Sequence, residues 1–278
     1  MDTSHIAPTL TDTEVLEFCK HGYLLLEGVV PEEINRKTVA FVDSNTSLEP
    51  TDILDEDWFV ENVILHPAAA GAVRSLLGAG FEAPVLMSNH RVHMPAPAQG
   101  WHRDGGSRYG PALHYLQVFY YPEACTAEMG PTEVLPGSHF LFQHSSMMGH
   151  YGNLRHGVKT VASAGSIFLT VYSIWHRRSV STAQGVRNLL KYNYWRTSAP
   201  ARDWVIEPDF DFAQADYSFV LRGLRQQFRD TVDASEMFFW LCGKSGEYQT
   251  MGGQGWPMPG HRNASPRGFP GEPTAARY

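Results

Sequence analysis

The run Gln99-Gly100-Trp101-His102-Arg103-Asp104-Gly105-Gly106 decides both the fold and the chemistry to be expected of this chain. Side chains alternate along an extended strand, so His102 and Asp104, the first and third members of His-x-Asp, share one face. Around this run, residues 85–196 form short segments rich in Val, Ile, Phe, Tyr and Trp, parted by Pro/Gly turns at 95–100, 136–137 and 164–165. Several short strands at near-regular spacing predict a sandwich or roll rather than alternating β-α units.

Away from this β-rich middle the periodicity becomes helical. Thr11 with Glu14 three residues on is a capping-box pattern, predicting a helix that stops at Gly22. Residues 23–30 read as a buried strand, and Pro31-Glu32-Glu33 opens a second helix running to about Ser44. The polar, acidic stretch 45–57 is a lid or a loop, and 67–78 is again helical. After Pro200, the residues Phe219, Leu221, Leu224, Phe228, Val232 and Phe239 are spaced for helical faces that cover the roll or join two copies in a homodimer. From Gly252 on, Gly, Pro, Arg and small polar residues dominate. The expected organisation is therefore one catalytic domain over 1–250 and a Gly/Pro-rich tail over 251–278.

Twenty-two basic against twenty-nine acidic residues leave a net charge of -7, which argues against a nucleic-acid partner. Three widely spaced cysteines, Cys19, Cys125 and Cys242, fit neither a disulfide framework nor a Cys-rich zinc site. With no leader-like N-terminus and no apolar run of about 18 residues, a cytoplasmic protein without a membrane partner is expected.

An Fe(II) site of the two-histidine, one-carboxylate kind needs one more imidazole, because three ligands on one octahedral face leave the other positions open. His176 follows the glycine-started apolar strand 167–172, where a later strand of a roll returns. Arg187 stands eleven residues beyond His176, where a guanidinium grips a distal carboxylate in bidentate fashion.

With these residues the chain resembles the phytanoyl-CoA dioxygenase family of iron- and 2-oxoglutarate-dependent oxygenases, over roughly residues 11–196. The resemblance is carried by Phe18-x-x-x-Gly22-Tyr23, by His102-x-Asp104, by Gly130-Pro131-Thr132-Glu133-Val134-Leu135-Pro136-Gly137-Ser138-His139, and by distal His176 and Arg187. It implies a mostly β protein with flanking helices around a double-stranded β-helix, the jelly-roll or cupin-like core. Fe(II) would be held by His102, Asp104 and His176, and 2-oxoglutarate by Arg187, with Tyr120 and Thr132 as further cosubstrate contacts. O2 would be the oxidant, ascorbate an accessory reductant, and the reaction hydroxylation of a small, secondary-metabolite-like substrate with release of succinate and CO2. Because Asp104 is present, a halide is not expected at its coordination position. Many relatives carry a small residue and a serine after the distal histidine; Arg177 and Arg178 stand here instead, and either recognise an acidic substrate group or face solvent.

Other readings are weaker. His-Arg-Asp resembles a kinase catalytic loop, but Gly105 and Tyr109 stand where that motif has Leu and Asn. Gly78-Ala79-Gly80 mimics a dinucleotide fingerprint yet follows a helix, and reads as a helix stop. His90, His93, His114, His139, His144, His150 and His156 sit in no metal-binding frame and mostly read as structural or exposed, whereas His90, Arg91 and His93 are also candidates to line the substrate pocket by strand alternation. A non-catalytic jelly-roll metabolite-binding protein, or a zinc-type hydrolase or isomerase, remains the alternative class.

Overall fold

The computed structural model of the chain describes residues 2–45, 47–105, 110–141, 147–148, 151–212, 215 and 224–245. The tail expected at 251–278, Phe219 and Leu221 of the C-terminal apolar face, and His144 and His150 lie outside the described residues.

Helix α1 (Asp12–His21) opens at a reciprocal capping box between Thr11 and Glu14 and stops at Gly22, whose φ of 76° suits a residue without a β-carbon. Strand β1 (Tyr23–Leu26) follows, then α2 (Glu32–Ser44), a 3-10 turn (Thr51–Asp55), and the short α3 (Asp57–Phe59), which runs on into a π turn (Val60–Ile64). Helix α4 (Pro67–Leu77) begins on a proline and ends at Gly78, so the glycine-rich 78–80 segment is a helix stop. The β-rich middle supplies β2 (Ser88–Asn89), β3 (Val92–Ala96), β4 (Trp101–His102), β5 (Tyr115–Tyr121), β6 (Thr132–Val134) and β7 (Met147–Met148). It continues with β8 (Val158–Lys159), β9 (Ser166–Val171), β10 (His176–Arg178), β11 (Ser181–Arg187) and β12 (Leu190–Trp195), before helix α5 (Leu224–Leu241).

Among the described residues the strands form two five-stranded sheets, β1-β9-β5-β12-β2 and β7-β4-β10-β6-β8, while β11 pairs with β3 alone. Neighbouring strands are antiparallel, giving the jelly-roll core. The first sheet is covered on both faces. Leu116, Val118 and Tyr120 of β5 join Leu16 and Phe18 of α1, Leu76 of α4 and Phe238 of α5 in the larger core. Phe119 and Tyr121, one residue out of phase, pack toward Val134 of the second sheet and toward Ile174, in the turn before β10. Burial on both sides explains why β5 and β9 are mostly apolar without the alternation of a half-exposed strand, each large side chain contributing about 1.5–3 kcal/mol. The buried part of α5, including Met237, Phe238, Phe239 and Leu241, belongs to that larger core, so this helix covers the roll. The strand expected over 23–30 is shorter and only half-buried, because β1 lies at the edge of its sheet. No described helix is long and apolar enough to cross a membrane.

His139 lies at the junction between α1 and the turn that follows β6, and it is fully buried. Its Nε2 donates to the Cys19 carbonyl at 3.1 Å, since a carbonyl can only accept. Its Nδ1 is buried without a partner and abuts the α-carbon of Gly22, where a β-carbon would overlap the ring. Burial therefore holds the His139 pKa down to about 3, since a second N–H would find no acceptor. The unfolded chain takes up this proton near pH 6.5, the native one only near 3, so the stability contribution is present above pH 6.5 and is lost as pH falls. Urea denaturation at pH 6.5, 5.5 and 4.5 should show wild type losing about 1.4 kcal/mol per pH unit more than His139→Gln. A wild-type-to-variant difference that stays constant with pH would contradict this account.

Candidate metal centre and active-site cavity

Strands β4 and β10 pair so that His102 stands directly opposite His176, with ring centroids 4.5 Å apart. Asp104, two residues further on, comes to the same face, and one donor atom from each of the three side chains lies within 4.8 Å of the others. Each imidazole is oriented by its own backbone: Nδ1 of His102 donates to the Gly100 carbonyl at 2.9 Å and Nδ1 of His176 to the Ile174 carbonyl at 3.0 Å. Both Nδ1 atoms therefore carry the proton, and both Nε2 atoms present lone pairs. Burial, helped by the charge of Lys191 and opposed by Asp104, brings the His176 pKa to about 4, so this imidazole is neutral at pH 7.

Asp104 is oriented just as closely. Its Oδ2 accepts from Lys191 Nζ at 2.5 Å and from Gln117 Nε2, leaving Oδ1 turned toward the imidazoles, 3.8 Å from His176 Nε2. Burial would raise its pKa, but Lys191, His176 and the hydrogen bonds from Lys191 and Gln117 outweigh it and bring the carboxyl to about 2. Two imidazole nitrogens and one carboxylate oxygen converging on one point are a donor set suited to a hard-to-borderline divalent ion such as Fe(II).

The opposite face of the same two strands is built from tryptophan and arginine. The Arg177 guanidinium lies over the Trp101 ring at 4.7 Å, and that of Arg103 over Trp175 at 5.3 Å. Arg177 also pairs with buried Glu133 at 2.8 Å and donates to the Gly152 carbonyl and to Asn153 Oδ1. Arg177 thus neither faces solvent nor offers its charge to a substrate, correcting one expectation for the arginine pair. The correction follows from alternation: His176 and Arg178 share the metal face, which leaves Arg177 on the other.

Beside the metal centre is a cavity of about 350 Å³ lined by His102, His176, Phe119, Thr132, Arg178 and Arg187, with Arg91 and the 48–49 segment also on its wall. Arg187 is only 2 % exposed; its Nη1 donates to the Gly130 carbonyl at 2.6 Å and its Nε is buried without a partner. Arg178 donates through Nη2 to the Pro97 carbonyl at 2.7 Å, and its Nε is likewise buried and unpartnered. Burial and the nearby Arg187 charge both lower the Arg178 pKa from its ordinary value. Arg91 reaches the wall but is paired with Asp43 at 2.8 Å.

Two further expectations are corrected. Tyr120 faces the larger core, where its hydroxyl donates to Asn35 Oδ1 at 2.6 Å, and Phe119 takes the cavity side. His93 is exposed, because Val92 and Met94 are the inward residues of β3. Gln117, Lys191 and Glu133 were not anticipated. Lys191, a single charge inside the run Leu189-Leu190-Lys191-Tyr192, did carry a signal, since a cation within an apolar strand needs a partner.

The chain matches the phytanoyl-CoA dioxygenase (PhyH) family over residues 18–177, more than half its length. It belongs to that family. Membership makes it an iron- and 2-oxoglutarate-dependent oxygenase, in keeping with the donor set. No curated protein matches this PhyH-family chain in sequence. Among solved structures it is similar to HygX from Streptomyces hygroscopicus with nickel and 2-oxoglutarate bound, with TM-score 0.55 and 15% identity, covering 68% of this chain and 88% of that one. HygX with iron bound gives TM-score 0.54 and 14% identity, with coverage of 68% and 88%. The epimerase SnoN, in complex with Fe3+, alpha ketoglutarate and nogalamycin RO, gives 0.53 and 14%, covering 66% of this chain and 82% of that one. At these identities the likeness is one of fold.

Because Arg177 in this PhyH-family enzyme is the sole ion-pair partner recorded for Glu133 among the described residues, Arg177→Ala would leave a buried carboxylate uncompensated. The variant should lose about 3–5 kcal/mol in urea denaturation. A loss under about 1 kcal/mol would mean that the pair is dispensable.

Proposed function

We propose that this enzyme hydroxylates a small metabolite, with iron held by His102, Asp104 and His176 and 2-oxoglutarate anchored by Arg187. The observation that carries the proposal is the convergence of three oriented donor atoms beside a cavity whose wall contains a buried, half-satisfied guanidinium. When bound, iron and 2-oxoglutarate together activate O2 for attack on a substrate C–H bond, with release of succinate and CO2.

This chain's residues supply orientation and exclusion. The Gly100 and Ile174 carbonyls fix the two imidazoles, and Lys191 with Gln117 turns one oxygen of Asp104 outward. Phe119, beside His176 at 5.8 Å between ring centroids, keeps that side of the centre apolar and dry. Thr132 lies on the wall near Arg187 and is a further contact for the cosubstrate. The cavity volume falls at the low end of the range of about 300–1,000 Å³ for small-molecule sites, which favours a compact substrate or one that reaches in with a single arm. HygX with 2-oxoglutarate bound supports the cosubstrate reading. SnoN, an epimerase, marks epimerisation as the outcome to be distinguished from hydroxylation.

Anaerobic Fe(II) and 2-oxoglutarate should give the weak visible absorption of the chelate. His102→Ala, Asp104→Ala and His176→Ala should each lose it together with iron binding. Arg187→Ala should require about 100-fold more 2-oxoglutarate, as expected for losing a charged, buried contact of roughly 2–5 kcal/mol. Aerobic assay against a metabolite panel should then yield succinate and a product one oxygen atom heavier. Wild-type protein that binds iron but develops no absorption would remove this reading.

A further inference from the structure

Arg178 and Arg187 both line the cavity, and neither has a carboxylate partner among the described residues. The other cations around the site are matched: Arg91 by Asp43, Arg177 by Glu133 and Lys191 by Asp104. Arg178 and Arg187 also share a second feature, a buried Nε without a hydrogen-bond partner among the described residues. Two like charges with unused buried donors are unfavourable in one cavity until an anion arrives to satisfy both.

The strand pairing gives the spacing. His176 and Arg178 are two residues apart on β10 and share a face, which places their α-carbons about 6.6 Å apart. In register opposite them on β6 stand Val134 and Thr132, and Arg187 donates to the carbonyl of Gly130, two residues beyond Thr132 in the same direction. The order along this wall is therefore metal-centre histidine, then Arg178 with Thr132, then the Arg187 guanidinium. A five-carbon diacid whose 2-oxo acid end is at the metal centre extends its other carboxylate along this line. An anion on a substrate would instead have to compete for that wall with the cosubstrate.

We infer that Arg178 and Arg187 together form a two-guanidinium seat for the distal carboxylate of 2-oxoglutarate, Arg178 being a cosubstrate-binding residue and not a reader of the substrate. The inference rests on the cosubstrate reading proposed for this site. It also means that this enzyme discriminates against 2-oxo acids lacking the distal carboxylate more sharply than one arginine would allow.

The test is an anaerobic titration of Fe(II)-loaded protein, followed by chelate absorption, with 2-oxoglutarate and separately with 2-oxopentanoate, which has the same carbon chain and no distal carboxylate. Arg178→Ala should raise the Kd for 2-oxoglutarate at least tenfold and leave that for 2-oxopentanoate within about twofold. Arg178→Lys, which keeps the charge and loses the fork, should fall between wild type and alanine. If the alanine variant does not fold, Arg178→Gln replaces it in the same comparison. Equal losses with both acids would reduce Arg178 to a structural support, and unchanged 2-oxoglutarate binding would remove it from the cosubstrate seat; either result overturns the inference. Wild type without absorption would instead defeat the cosubstrate reading itself, a failure visible before any variant is made.

Discussion

The antiparallel pairing of Trp101–His102 with His176–Arg178 is the constraint on which the site depends, because it makes two metal-facing imidazoles direct cross-strand neighbours. The side-chain period of a strand is two, so a slip of one residue would turn Trp101 and Arg177 into the cavity and the histidines out of it. The pairing is short, and its register is held from behind. On the reverse face the Arg177–Trp101 and Arg103–Trp175 stacks bridge the two strands, each worth about 0.5–2 kcal/mol, and the Arg177–Glu133 pair ties β10 to β6. Chemistry on the hidden face therefore fixes geometry on the working one.

Electrostatics lets this assembly stand before any metal arrives. His176 is neutral at pH 7 because it is buried, and the carboxylate of the donor set, Asp104, is already matched by Lys191. Like charges are thus not forced together at the centre, and the ligand carboxylate does not have to rotate into place. Gln117 and Lys191 reach Asp104 from the first sheet while His102 and His176 belong to the second, so the centre also cross-links the two layers of the roll. Lys191 lies 6.0 Å from the Phe119 ring centroid, which gives the ammonium a second favourable neighbour.

How much of this was legible in the sequence follows from what each signal encodes. His-x-Asp is a local pattern, and alternation alone places His102 and Asp104 together. The run of short apolar strands announces a roll, and the capping box at Thr11 and Glu14 and the glycine stops at 22 and 78 bound two of the helices. Phase across a sheet is a different matter. Tyr120 and Phe119 are adjacent aromatics in a strand buried on both sides, and nothing local says which face carries the cavity, so Tyr120 was assigned where Phe119 lies. The same ambiguity misplaced His93. Arg177 was avoidable: once His176 faces the metal, alternation sends Arg177 away and keeps Arg178. Lys191 and Glu133 needed partners 87 and 44 residues distant, which no single-chain pattern pairs in advance.

The cavity has one end borne on strands and another borne on loops, and this division explains why the chemistry is readable and the substrate is not. His102, His176, Arg178, Thr132 and Phe119 project from paired strands, whose register leaves each side chain little freedom. Leu48 and Glu49, by contrast, come from the polar 45–57 stretch, tied to the sheet by the Asn89 N–H donating to the Leu48 carbonyl at 2.7 Å. Leu48 is 60 % exposed, and Glu49 is the one acidic residue on the cavity wall among the described residues. A single exposed apolar side chain is ordinary on a protein surface, so this rim carries no readable signal of what binds there. The strand-borne wall, already rich in positive charge, suits the dicarboxylic cosubstrate. The guanidinium-lined wall thus demands an anion, whereas the exposed rim imposes no comparable charge requirement.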